Sequence, residues 1–324
     1  MKRIILLLIL LLFVGGLALG YAGGSDSDSD SDGLTDAQEA ILGTDSQTID
    51  SDGDGLSDGE EYFDYLTDPL SPDTDGDGLK DSEDEFPQLL TYRDVNGVAT
   101  TTTALLEGVE GLKLHQKVVV SVGNVHTVDW TNYLHEDFTL KAAEIVMHID
   151  YIDPTREDWT GEGYYRIDEE AGTAEIVLPT YGGIFEATIS WPGNVMTKSD
   201  WPYHLYSKPL EVGQQWEFNV FYHELLVWDE KPFFGATAEV VGEEVLPLET
   251  RLGRRGYQVH VVECVLSHET FNDPFFRAFL GENPQFTIRA YFTVDKGVLL
   301  RCTTPYFRIT PSKSVGFSDF VVTH

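Results

Sequence analysis

Twelve residues recur three times near the start of the chain, and that recurrence constrains folding more than any other feature. DSDSDGLTDAQE runs from Asp28 to Glu39, DSDGDGLSDGEE from Asp50 to Glu61 and DTDGDGLKDSED from Asp73 to Asp84. The copies start 22 and then 23 residues apart and share the pattern D-x-D-x-D-G-L-x-D-x-x-[ED]. Between residues 25 and 86 stand 22 acidic side chains and a single base, Lys80. A stretch this charged and this poor in apolar residues stays unfolded unless something offsets the repulsion. A plain solvated linker has no reason to hold glycine and leucine in register with its carboxylates.

The spacing matches the needs of a hard cation. Calcium takes six to eight oxygen ligands at about 2.3–2.6 Å. Carboxylates at positions 1, 3 and 5 converge on one point: Asp28, Asp30 and Asp32; Asp50, Asp52 and Asp54; Asp73, Asp75 and Asp77. Position 6 must turn sharply and is Gly33, Gly55 or Gly78. Position 7 offers a backbone carbonyl, which leaves its side chain free to be apolar, as at Leu34, Leu56 and Leu79. Position 9 (Asp36, Asp58, Asp81) binds directly or through water. Position 12 closes the shell, with Glu39 and Glu61 long enough for two-oxygen contact and Asp84 one methylene shorter. The reading is three structural calcium sites, with full coordination of the third less assured. Extracellular modules of this kind bind calcium at roughly 0.1–1 mM.

An EF-hand would need long flanking helices, and the intervals AILGTDSQTI and YFDYLTDPLSP are too short and too polar for them. With GTD at 43–45 and LTDPLSPDTDGDGL at 66–79, the segment 26–86 resembles the thrombospondin type 3 repeats of prokaryotic surface proteins. That resemblance implies calcium loops strung along an extended stalk that wraps around its own ions. Cysteines that staple other members of the family are missing from this segment, so its order should depend on the metal.

The rest of the chain is less acidic. The whole carries 55 acidic against 21 basic residues, formally −34, which argues against nucleic acid as a partner. Two bases precede an uncharged, mostly apolar run from Ile4 to Ala22. Residues 1–24 therefore read as a signal peptide, or as an uncleaved membrane anchor in the form of a hydrophobic helix. Either places the remainder outside the cytoplasm, secreted or at the cell surface. Cys264 and Cys302 are candidates for one disulfide in such a compartment, with two buried thiols as the alternative.

Beyond residue 87, period-2 alternation dominates. FEATISW sets Phe185, Ala187, Ile189 and Trp191 on one face; WEFNVFY does so with Trp216, Phe218, Val220 and Tyr222; FTIRAYFTV aligns Phe286, Ile288, Ala290, Phe292 and Val294. The fold expected is mainly β: an antiparallel barrel or sandwich, with a possible subdomain boundary near 192–212, behind an extended calcium-loop segment with little regular structure. VGQQWEFNV, AEVVGEEVL, RGYQVHVV and YFTVDKGVLLR faintly resemble β domains of exported proteins and lipoproteins of unknown function. This resemblance implies a curved sheet and transfers no catalytic residue.

No H-E-x-x-H, G-x-S-x-G, P-loop or dinucleotide fingerprint occurs. His115, His126, His135, His148, His204, His223, His260 and His268 are scattered singly. Asp153, Glu157 and Asp158 beside Trp159 suit either a sugar-binding patch or an ordinary turn. Three functions stay open. One is a non-enzymatic surface protein whose calcium-ordered repeats act as a spacer for a module binding a glycan, an adhesion partner or another surface protein. The second is an extracellular hydrolase using carboxylates of the β domain, and the third a carrier of an apolar ligand.

Overall fold

The computed structural model describes residues 27–94, 99–107, 111–122, 124–180, 183–197, 209–222, 232–267, 286–308 and 314–323. The hydrophobic run expected as signal or anchor, the aromatic stretches DWPYHLY and NDPFFRAF, and His204, His223 and His268 lie outside those residues. Among the described residues, no helix is long and apolar enough to cross a membrane.

The repeat segment contains two short helical pieces, and the motif itself explains them. Position 8 is Thr35 in the first copy and Ser57 in the second; each forms a capping box with position 11, Gln38 or Glu60. Such boxes satisfy the free N–H groups of a helix start. Helix Asp36–Leu42 follows the first and ends at Gly43, whose φ of 97° is left-handed. Asp58–Glu60 follows the second and widens into a π-turn over Glu61–Tyr65. The third copy has Lys80 at position 8, which cannot cap, and its chain makes only a turn.

The remainder is one 15-stranded sheet. Its strands are β1 (Leu89–Asp94), β2 (Ala99–Leu106), β3 (Lys113–Val122), β4 (Asn124–Leu134), β5 (Leu140–Asp150), β6 (Trp159–Asp168), β7 (Thr173–Thr180), β8 (Gly183–Ser190), β9 (Val195–Thr197), β10 (Gln215–Phe221), β11 (Phe233–Thr250), β12 (Gly253–Ser267), β13 (Phe286–Thr293), β14 (Leu299–Arg308) and β15 (Ser314–Thr323). The order is β8-β7-β6-β5-β4-β3-β2-β1-β15-β14-β13-β12-β11-β10-β9. Two meanders are thus joined where β1 pairs antiparallel with β15, Tyr92 opposite Val322. Only β9 and β10 run parallel.

The sheet curls over a single core. β6 and β10 stand near opposite ends of the strand order, yet Tyr165 and Phe221 meet edge to face with ring centroids 5.4 Å apart. Trp191, at the switch between the meanders, packs on Phe221 and Phe233 at 5.4 and 5.3 Å. Alternation delivers these residues: Ile288, Ala290 and Phe292 are fully buried, as are Val259 and Cys264 on the neighbouring strand. Both meanders feed this one hydrophobic cluster, so the expected division near 192–212 marks a change of meander within a shared core.

The repeats lie against this domain. The β11–β12 hairpin reaches them with its tip, where Leu252 packs on a small cluster of Leu34, Leu42, Tyr62 and Phe63. Arg251 Nη2 donates to the Ile41 carbonyl at 3.3 Å, Arg255 sits over the Phe63 ring at 3.8 Å, and Lys296 sits over Tyr65 at 3.8 Å. Leu66 and Phe86 enter the main core. The segment expected as an extended stalk thus packs against the β domain.

Candidate metal centres

Each acidic loop is built by the same hydrogen bonds. The position 1 carboxylate folds the loop around itself. Asp28, Asp50 and Asp73 accept the position 4 N–H through Oδ1 at 2.6, 2.7 and 2.8 Å. Through Oδ2 they accept the position 6 N–H at 3.2, 3.1 and 3.0 Å. That winding drives Gly33, Gly55 and Gly78 to φ of 101°, 115° and 102°. Only glycine adopts this backbone without penalty. Position 5 caps the turn, with Asp32, Asp54 and Asp77 accepting the leucine N–H at 2.7, 2.7 and 2.8 Å.

Position 9 has a task beyond the one expected. Both oxygens of Asp36, Asp58 and Asp81 are taken by position 2. Oδ1 accepts the N–H of Ser29, Ser51 or Thr74 at 3.0, 2.8 and 2.8 Å, and Oδ2 accepts the same residue's hydroxyl at 3.0, 2.6 and 2.6 Å. These aspartates brace the loop from behind. Ser29, Ser51 and Thr74 were missed as functional residues, although the D-[ST]-D start of every copy carried the signal.

Oxygens at positions 3 and 12 are buried without a partner in several loops. Both carboxylate oxygens of Asp30 and both of Glu39 are buried and hydrogen-bonded to nothing, as are Asp52 Oδ2, Glu61 Oε2 and Asp75 Oδ2. Isolated buried carboxylate oxygens are too costly to leave unmatched in a finished fold. In each loop, oxygens of positions 1, 3 and 5 lie within 4.8 Å of one another. Burial, and next the nearby Asp30 and Asp32, push Glu39 up to about 7. Burial, then Asp52 and Asp54, push Glu61 up to about 9. Asp75 rises to about 7 and Asp52 and Asp84 to about 6, burial leading in each case. A divalent cation would remove these penalties together. The donor set, all oxygen and mostly anionic, fits calcium. Positions 1, 3, 5 and 12 would hold the ion with the carbonyls of Leu34, Leu56 and Leu79. The ion's role would be structural, supplying the attraction that the segment's few apolar residues do not.

The leucine side chains divide by place. Leu34 is fully buried in the small cluster beneath the hairpin tip, Leu56 is buried, and Leu79 is exposed.

The disulfide expectation does not hold. Cys264 and Cys302 are not bonded to each other, standing on β12 and β14 with β13 between them. Adjacent strands sit about 4.8 Å apart, so strands flanking a third are nearly twice that. A disulfide needs Cα atoms within about 4.4–6.8 Å. Burial pushes the Cys264 thiol well up from its ordinary range.

In the β domain, Asp153 accepts from Thr155 and Asp158 from the Tyr151 N–H, so these two DPTREDW carboxylates brace turns. The histidines stay dispersed: His115 meets Thr131, His148 meets Thr160 and Asp150, and His126 and His260 are buried. His135 Nε2 lies 2.6 Å from Glu169 Oε1 at the edge of a cavity of about 770 Å³, which Glu136, Asp137, Trp191 and Asn194 also line.

Residues 28–47, 50–72 and 73–83 match the bacterial TSP3 repeat, a calcium-binding type. No curated protein matches the chain in sequence. Among solved structures, a β-barrel-like protein of the domain of unknown function DUF1849 from Brucella abortus is similar at 13% identity, covering 72% of this chain and 92% of its own, with a TM-score of 0.40. A DUF1089 family protein from Pseudomonas aeruginosa is similar at 11% identity, covering 62% and 87%, with a TM-score of 0.33.

Proposed function

We propose that this is an exported, non-enzymatic calcium-binding protein of the cell surface, in which calcium-loaded repeats brace a β-rich interaction module. The observation that carries the calcium half is the set of buried, partnerless oxygens on Asp30, Glu39, Asp52, Glu61 and Asp75. The contacts of Arg251, Arg255 and Lys296 with the repeats change the form of the spacer idea. Loaded repeats stiffen one side of the barrel and set its orientation on the surface.

The module's ligand cleft is the cavity between the β4–β5 turn and the β8–β9 connection, which offers carboxylates, His135 and the edge of Trp191. Carboxylates beside an aromatic ring suit a glycan. Aromatic rings of Tyr165, Phe221, Trp191 and Phe233 pack together in the interior, which speaks against an apolar-ligand carrier. A glycan array and a lipid panel, run on the full chain with millimolar calcium, test the reading. Retention of a glycan that Trp191→Ala abolishes supports it. Turnover of that glycan would replace the binding module with a hydrolase.

A further inference from the structure

The three loops are linked by one recurring hydrogen bond. The position 5 carboxylate of one loop accepts the N–H of position 10 in the next: Asp32 Oδ2 from Gly59 at 3.0 Å, and Asp54 Oδ2 from Ser82 at 2.9 Å. No fourth copy follows the third. Asp77 Oδ2 instead accepts the N–H of Glu107 at 3.0 Å, from the residue that follows β2. The β domain thus stands where a fourth repeat would.

The third loop is also the one closed by the shortest carboxylate. Asp84 is shorter than the glutamates closing the first two loops, and its Oδ1 is occupied by the Phe86 N–H at 2.8 Å. Asp75 Oδ2 is buried and has no partner. At the first two joints the residue before the donor is a buried aspartate that braces its own loop, Asp58 or Asp81. At the third joint the residue before the donor is Leu106, and the carboxylate is that of Glu107 itself. It is half-buried, feels the charges of Glu85 and then Asp77, and in turn acts on Asp84, while its own N–H is held 3.0 Å from Asp77 Oδ2.

We propose that Glu107 supplies the closing carboxylate of the third calcium site, so that repeat segment and β domain hold this ion jointly. The inference rests on the calcium reading of the repeats and deepens it. Filling the third site fastens Glu107, at the end of β2, to the last loop, which couples calcium occupancy to the stability of the β domain.

Calorimetric calcium titration of the chelator-stripped full chain tests this. Glu107→Gln keeps the backbone donor and the side-chain volume, and should weaken one ion about ten-fold or more while sparing two. Glu107→Asp keeps the charge but is too short, and should weaken the same ion; Asp75→Asn should abolish it. Glu85→Gln removes an equal charge from an exposed neighbour and should change nothing beyond two-fold. Three ions bound with unchanged affinity by Glu107→Gln, equal weakening by Glu85→Gln, or only two ions on the unaltered chain would each overturn the assignment of Glu107 alone. A chain that takes up no calcium at all would overturn the function proposed above along with it.

Discussion

Asp32 in the first loop and Gly59 in the second are 27 residues apart and joined by a 3.0 Å hydrogen bond from the Gly59 N–H to Oδ2 of Asp32. The contact is so close that a Cβ added at Gly59 would overlap the Asp32 carbonyl oxygen. Gly59→Ala should therefore pry the first two loops apart and cost roughly 1–3 kcal/mol, the usual range for overpacking. Thermal unfolding of the calcium-loaded chain measures the loss. Calcium affinity at the first loop should fall with it, because Asp58 approaches the Asp30 and Asp32 carboxylates across this joint.

The raised carboxylates fix how the repeats answer to pH. Without calcium, Glu39 and Asp75 at about 7 and Glu61 at about 9 hold protons that an unfolded chain would release near 4. An acid raised by folding contributes stability below its unfolded value and loses it as pH climbs through the folded value. The calcium-free segment should thus gain stability on acidification from pH 9 toward pH 5. Calcium must displace those protons, so affinity should run the opposite way, falling roughly ten-fold from pH 8 to pH 6. Melting curves in chelator and titrations at the two pH values check both signs.

The calcium motif was legible because coordination chemistry sets its register: oxygens of positions 1, 3 and 5 lie together in each loop, as their spacing demands. Strands were legible where one face is buried, as in the alternation that buries Ile288, Ala290 and Phe292. The bracing task of position 9 was not legible because an aspartate that braces a loop and one that ligates metal look alike in sequence; the Ser29, Ser51 and Thr74 bonds reveal it. The joints to Gly59, Ser82 and Glu107 left no trace, since each spans 27 to 30 residues and uses a backbone donor that any residue supplies. The pairing of β1 with β15 and the docking of Arg255 on Phe63 are equally non-local.

Docking should make the β domain sense calcium. Arg255→Ala removes a cation from the Phe63 face at 3.8 Å and the Tyr257 face at 5.3 Å. Such contacts contribute about 0.5–2 kcal/mol. The variant should bind calcium at the first two loops with near-normal affinity, yet show a smaller calcium-induced rise in the melting temperature of the β sheet. Circular dichroism followed in the β-sheet band, with and without calcium, separates the two effects.

Calcium titration of the chelator-stripped full chain, followed by calorimetry and by small-angle scattering in parallel, is the most direct test. Two ions should bind at sub-millimolar to millimolar levels with a third that is weaker, and the repeat segment should contract onto the barrel as they do. A chain that takes up no calcium in that range, or whose dimensions are the same with chelator as with metal, would contradict the account.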